Sequence, residues 1–150
     1  WNTICFDAGK HKNYNAMRVK VTIEMNNKGE VCPVNKKVEQ MNPKELMLAA
    51  IADCAGRTAL SIMEKMRLEP VAFEIDVEGT LDTGEVRAES RFTAFVVTYN
   101  VTCLRFEDQD RISHALELTH DKHCGLVAMM RRVAPVDRRI LIHSIEGENK

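Results

Sequence analysis

The segment NPKELMLAAIADC, residues 42–54, predicts a helix that protein encloses on most of its sides. Its first residue, an asparagine, can act as the N-cap, Pro43 suits the first helical position, and Glu45 stands three residues after the cap. Nearly every residue from 46 to 55 is apolar, whereas a helix on a domain surface carries a single apolar stripe. Pro70 stops further extension, so we expect a central helix of about 25 residues.

Alternating apolar and polar residues predict β-strands on both sides of this helix. Residues 17–25 and 71–78 alternate with a period of two, and residues 91–104 form a longer β-rich run. The turn sequence NNKG at residues 26–29 predicts a hairpin in which residues 30–34 return beside the first strand.

The second half of the chain adds another helix and a final strand. Asp108 or Asp110 can cap this helix, which restarts near Gly125, and residues 140–145 follow as a strand. The resulting order of elements predicts an α+β fold with an antiparallel sheet. We expect one domain over residues 1–150, in which residues 1–16 are either an N-terminal strand or an extension.

The apolar helix also predicts a homodimer. A helix that is apolar nearly all round needs cover on two sides, and a two-layer domain covers only one of them. Two copies that pack their central helices together between their sheets would supply the second cover.

Length and charge argue against several classes of protein. The 150 residues fit a single core, and 21 basic against 22 acidic residues leave a net charge of −1. This balance gives no strong field for nucleic acid or anionic lipid. The longest nearly uncharged apolar stretch, residues 46–52, is far shorter than the ~20 residues that span a bilayer. No secretory signal pattern opens the sequence, so we expect a cytoplasmic protein.

The cysteines are odd in number, and no two form a C-x-x-C pair. In a cytosolic chain we expect thiols, most of them packed as small core side chains. A zinc site is an alternative for His120, His123 and Cys124, because such ligands at i, i+3 and i+4 share a helix face. Gly125 interrupts that helix and no fourth ligand is evident, so surface histidines are the simpler interpretation. The five cysteines are Cys5, Cys32, Cys54, Cys103 and Cys124.

Two segments resemble the OsmC/Ohr family, the osmotically inducible and organic hydroperoxide resistance proteins. Residues 42–54 match its Pro-x-Glu-Leu entry, alanine-rich turn and first cysteine. Residues 120–127, HDKHCGLV, match the region of its second cysteine, although Gly125 replaces a proline common in the family. The resemblance implies an intertwined homodimer with two long central helices, and thiol-dependent reduction of organic hydroperoxides.

The resemblance also assigns roles to individual residues. Cys54 would attack the peroxide, and Cys124 would resolve the product as a disulfide. Glu45 and an arginine would orient Cys54. Arg18 is the only arginine before Arg57, which lies three residues after Cys54 on the same helix face, so both are candidates. A dithiol or a dihydrolipoyl protein would reduce the disulfide, and the cycle needs no metal, flavin or haem.

Elementary chemistry limits these roles. The neutral thiol is a poor nucleophile, so Cys54 inside an apolar helix needs a cation or donated hydrogen bonds to react. Cys124 would lie near the start of a helix, where free N–H groups favour an anion. Each residue also has a structural interpretation: Cys54 and Cys124 as packed thiols, and Glu45 as a capping residue.

Two functions therefore remain open. One is a peroxidase that cycles Cys54 through a sulfenic acid and a disulfide with Cys124. The other is a redox-inactive dimer that binds a hydrophobic ligand in the cleft between its subunits. The discriminating feature is the position of the guanidinium nearest to Cys54.

Overall fold

A computed structural model describes residues 16–147, which form a five-stranded sheet with helices on one face. The expectation for residues 1–16 falls almost entirely outside this range. The strands are β1 (Arg18–Met25), β2 (Val31–Pro33), β3 (Ala72–Leu81), β4 (Phe92–Cys103) and β5 (Val136–Ser144). The α-helices are α1 (Pro43–Lys65), α2 (Gln109–Leu118) and α3 (Gly125–Met130). A π-helical turn spans Thr119–His123, and short 3-10 turns span Val38–Gln40 and Phe106–Asp108.

The sheet has the order β2-β1-β3-β4-β5. The predicted hairpin is confirmed, because β1 and β2 pair antiparallel. β1 also pairs antiparallel with β3, and β3 with β4. The expectation of a purely antiparallel sheet is wrong at one edge, where β5 runs parallel to β4. The two helices α2 and α3 connect these strands and return the chain to the end where β4 began, as a parallel pair requires.

Helix α1 begins with the predicted capping box. The Glu45 N–H donates to Asn42 Oδ1 at 3.0 Å, and the Asn42 N–H donates to Glu45 Oε2 at 2.8 Å. Pro43 occupies the first helical position, where its missing N–H costs nothing.

The other end of α1 lies five residues before Pro70. Arg67 adopts a left-handed conformation with φ of 56°. The Leu68 N–H then donates to the Met63 carbonyl, and the Arg67 N–H to the Glu64 carbonyl. These are the two hydrogen bonds of a Schellman motif. The left-handed conformation of Arg67 therefore ends the helix before Pro70 is reached.

One side of α1 packs against the sheet, and part of its other side is open in a single chain. The buried residues face the sheet, and Gly56 permits a close approach, because a Cβ there would lie 2.6 Å from Met25 Cε. On the other side Leu46 is 41% exposed and Ala50 is exposed. By length and composition alone α1 could also span a membrane, a property it shares with core helices of globular proteins.

Candidate redox site

The Sγ atoms of Cys54 and Cys124 lie 3.5 Å apart, although 70 residues separate the two cysteines in the sequence. The geometry allows the Cys124 S–H to donate to the Cys54 sulfur. Both side chains are free thiols. A disulfide needs sulfur atoms about 2.05 Å apart, so a shift of about 1.5 Å would join them.

Cys54 lies near the middle of α1 and faces away from the sheet. It precedes Gly56 by two residues, which places the two positions about 200° apart around the helix. Gly56 is pressed against the sheet, so Cys54 points towards α3 and the π-helical turn and is only half-buried. The Thr58 hydroxyl donates to the Cys54 carbonyl oxygen at 2.8 Å and not to the sulfur.

Cys124 lies between the π-helical turn and α3. Its backbone is extended, with φ −78° and ψ 108°, and its side chain is almost fully buried. The restart of the helix at Gly125 is therefore confirmed.

Burial determines the ionisation of Cys124. Loss of water and the neighbouring Cys54 raise its pKa to about 11, although the N–H groups of Leu126 and Val127 act in the opposite direction. The start of α3 does favour an anion, as expected, but the apolar surroundings outweigh it. Cys124 is therefore a neutral thiol at pH 7.

Glu45 is engaged at the start of α1, nine residues before Cys54. Its carboxylate accepts from Lys36 Nζ at 2.7 Å as well as from the Asn42 N–H. Burial raises the pKa of Glu45, but these two donors lower it further, so the net shift is downwards. No residue pattern pointed to Lys36, which reaches Glu45 only because of the fold.

Neither candidate arginine is hydrogen-bonded to Cys54 within residues 16–147 of one chain. Arg18 lies on the outer face of the sheet, 3.7 Å from Glu78, and its side chain is 72% exposed. Arg57 donates to Asp53 at 2.8 Å, so a carboxylate one turn earlier in α1 draws its charge away.

Residues 34–138 match the sequence model of the family described as OsmC-like protein. The chain belongs to the OsmC-like family. No curated protein matches its sequence.

Solved structures share the fold of this OsmC-like chain at low sequence identity. A hypothetical protein from Aquifex aeolicus has a TM-score of 0.60 at 19% identity, covering 87% of this chain and 100% of its own. An OsmC-like hydroperoxide resistance protein from Jannaschia has 0.55 at 11%, covering 78% and 87%. An organic hydroperoxide resistance protein OsmC from Legionella pneumophila has 0.50 at 13%, covering 89% and 99%.

His120 of this OsmC-like chain is buried, contrary to its interpretation as a surface histidine. It is 2% exposed, and its Nδ1 lies 3.1 Å from the Tyr99 hydroxyl. Burial lowers the pKa of His120. His123 and His114 are exposed, as a surface interpretation expects. In the described part of the chain, no three His, Cys, Asp or Glu side chains are grouped as metal ligands.

A cleft of about 540 Å³ opens between the second half of α1 and the π-helical turn. Its apolar walls carry three basic side chains and no acidic one. The lining residues are Arg57, Thr58, Ser61, Ile62, Lys65, Leu118 and His123.

Proposed function

We propose that this OsmC-like protein is a thiol peroxidase that reduces organic hydroperoxides through Cys54 and Cys124. The 3.5 Å separation of the two sulfur atoms carries the proposal. Two solved structures of the same fold bear the name of hydroperoxide resistance proteins, which agrees with this activity.

The first step oxidises Cys54. Its thiolate attacks the terminal oxygen of the peroxide, the O–O bond breaks, and the alkoxide takes up a proton and leaves as an alcohol. Cys54 is the attacking residue because it is the more exposed of the pair, whereas the raised pKa keeps Cys124 protonated.

The second step joins the two sulfur atoms. The Cys124 sulfur attacks the sulfenic sulfur of Cys54, the S–O bond breaks, and the departing hydroxyl leaves as water with the Cys124 proton. The oxidised sulfur of Cys54 and the reduced sulfur of Cys124 end in one disulfide. A dithiol or a dihydrolipoyl protein then reduces it by thiol exchange and restores both thiols.

The cleft between α1 and the π-helical turn favours an organic substrate over hydrogen peroxide. Its walls include Ile62 and Leu118, which would hold the apolar group of a substrate, and His123, the residue before Cys124. Because the two cysteines pass the two electrons of the dithiol to the peroxide, the proposed reaction uses no cofactor.

A cytoplasmic homodimer completes the proposal. The open side of α1, with Leu46 and Ala50, is apolar surface that a second copy of the chain would cover. Because no guanidinium of the described chain is bonded to Cys54, a basic group from that second copy would supply the positive charge that the thiolate needs.

The deciding experiment supplies the reduced protein with cumene hydroperoxide and a dithiol and follows peroxide consumption. Cys54→Ser should abolish turnover. Without the dithiol, Cys124→Ser should consume one equivalent of peroxide and stop at the sulfenic acid. Cys32→Ser, at an exposed position, should leave turnover unchanged. Equal turnover by the unsubstituted protein and Cys54→Ser would refute the peroxidase.

The second candidate function is a redox-inactive dimer that binds a hydrophobic ligand in the cleft between its subunits. Its specific support is that Arg18 and Arg57 are both bonded to carboxylates rather than to Cys54. Absence of peroxide consumption in every variant, together with saturable binding of an apolar fluorescent probe to the dimer, would favour it.

A further inference from the structure

The π-helical turn Thr119–His123 carries Cys124 to the sulfur pair. The Cys124 N–H donates to the Thr119 carbonyl oxygen at 2.8 Å, five residues back, which closes the turn. Such i→i−5 turns are rare in proteins and are found mostly as single turns, often at functional sites. Contacts from outside the turn must therefore hold it in place.

The imidazole of His120 makes two of these contacts. Its Nε2 lies 3.4 Å from the Val136 carbonyl oxygen, which can only accept, so Nε2 carries the hydrogen. Nδ1 is then the acceptor for the Tyr99 hydroxyl at 3.1 Å. Tyr99 is fully buried on β4, so the imidazole is fixed between two neighbouring strands of the sheet.

Two arginines hold the same turn from outside. Arg131, just after α3, donates to the His120 carbonyl oxygen at 2.6 Å, and Arg138 on β5 donates to Asp121 at 2.5 Å. Side chain and backbone of His120 are thus both bonded. Neither His120 nor Tyr99 is hydrogen-bonded to a sulfur atom of the pair.

We propose that His120, held by Tyr99, is a positioning residue that sets the distance between the Cys124 and Cys54 sulfur atoms. The inference rests on the proposed function for its catalytic consequence, the second step of the cycle. In that step the S–O bond of the Cys54 sulfenic acid breaks, the S–S bond forms, and water leaves. A misplacement of about 1 Å costs an intramolecular step about 100-fold.

An equilibrium measurement tests the positioning without any peroxidase activity. The dimer is equilibrated with reduced and oxidised glutathione, and the fraction of Cys54–Cys124 disulfide is measured by mass spectrometry. His120→Leu should lower the effective concentration of the two thiols about tenfold, a change of about 30 mV in reduction potential. His120→Asn, whose amide can still meet the Tyr99 hydroxyl, should recover most of that loss.

A matched control separates positioning from stability. Ile23→Val trims a buried side chain on β1, two strands away from Tyr99, at a cost of about 1 kcal/mol. It should leave the glutathione equilibrium unchanged. If His120→Leu does not fold, Arg131→Gln removes the donor to the His120 carbonyl at the surface and should shift the equilibrium in the same direction.

The kinetic consequence is a split between the two steps. In His120→Leu, oxidation of Cys54 by cumene hydroperoxide should stay within about twofold, while disulfide formation slows about tenfold and dimedone captures more sulfenic acid. If His120→Leu leaves the rates of both steps unchanged, or slows both by the same factor, the inference is overturned. If no variant and no unsubstituted protein reacts with peroxide, the proposed function fails, while the glutathione equilibrium still decides the positioning role.

Discussion

The raised pKa of Cys124 predicts how fast this thiol is alkylated at each pH. Its pKa is raised to about 11 from an ordinary value of 9.0. At pH 7 the thiolate fraction of Cys124 is therefore about 100-fold smaller than that of an unperturbed thiol. Alkylation by iodoacetamide proceeds through the thiolate, so the rate at Cys124 should be lower by at least this factor.

The assay is iodoacetamide labelling at a series of pH values, with each cysteine quantified by mass spectrometry. The rate at Cys124 should keep rising up to about pH 11. Because burial is the largest cause of the shift, Cys54→Ser should lower this midpoint only in part. The exposed Cys32 of the same chain is the internal reference.

A Cys124 midpoint at or below pH 9, in a protein that is fully folded at that pH, would refute the reasoning. Burial would then not control this thiol, and the assignment of Cys54 as the first nucleophile would lose its electrostatic support. Loss of the native circular dichroism spectrum before the midpoint would show that the labelling reports unfolding, so the spectrum is recorded at every pH.

Three further changes should alter stability in directions fixed by the structure. Arg67→Gly should raise the free energy of unfolding by about 1 kcal/mol, because glycine adopts the left-handed conformation without strain. The Tm should then rise by ~2–4 °C. An unchanged or lower Tm would contradict this. Gly125→Pro should raise the free energy of unfolding in urea by about 0.5 kcal/mol, because this first position of α3 has open space and follows an extended Cys124. A loss of stability would show that the site is strained. Because the pKa of His120 is lowered in the folded protein, the unfolded chain takes up the proton first as the pH falls below about 6.5. The free energy of unfolding should therefore fall between pH 7.5 and 5.5. His120→Asn should flatten that slope in paired urea titrations.

Most of the fold could be predicted from local patterns. The capping box at Asn42, the period of two in β1 and the restart at Gly125 each depend on a few neighbouring residues, and each is present. The end of α1 was harder, because Arg67 has no glycine-like signature for its left-handed conformation. The parallel pairing of β5 with β4 depends on where α2 and α3 return the chain to the sheet, and no residue of β5 indicates that position.

The candidate site divides in the same way. Residue patterns singled out Cys54, Cys124 and Glu45, and family resemblance assigned their roles. The 3.5 Å contact of the two sulfur atoms, the partner of Glu45 and the burial of His120 follow from distant segments meeting. The roles themselves remain predictions for the experiments above.

The sequence by itself determined the elements: the capped apolar helix, the alternating strands, and the two cysteines in their local settings. Hydrogen-bonding periods and caps act over a few residues, so the printed order of residues is enough to find them. Only the tertiary structure decided that Cys124 is buried and stays protonated, and that the Glu45 carboxylate is already paired. Ionisation depends on the loss of water and on charges a few ångströms away in space, and packing between distant segments sets both.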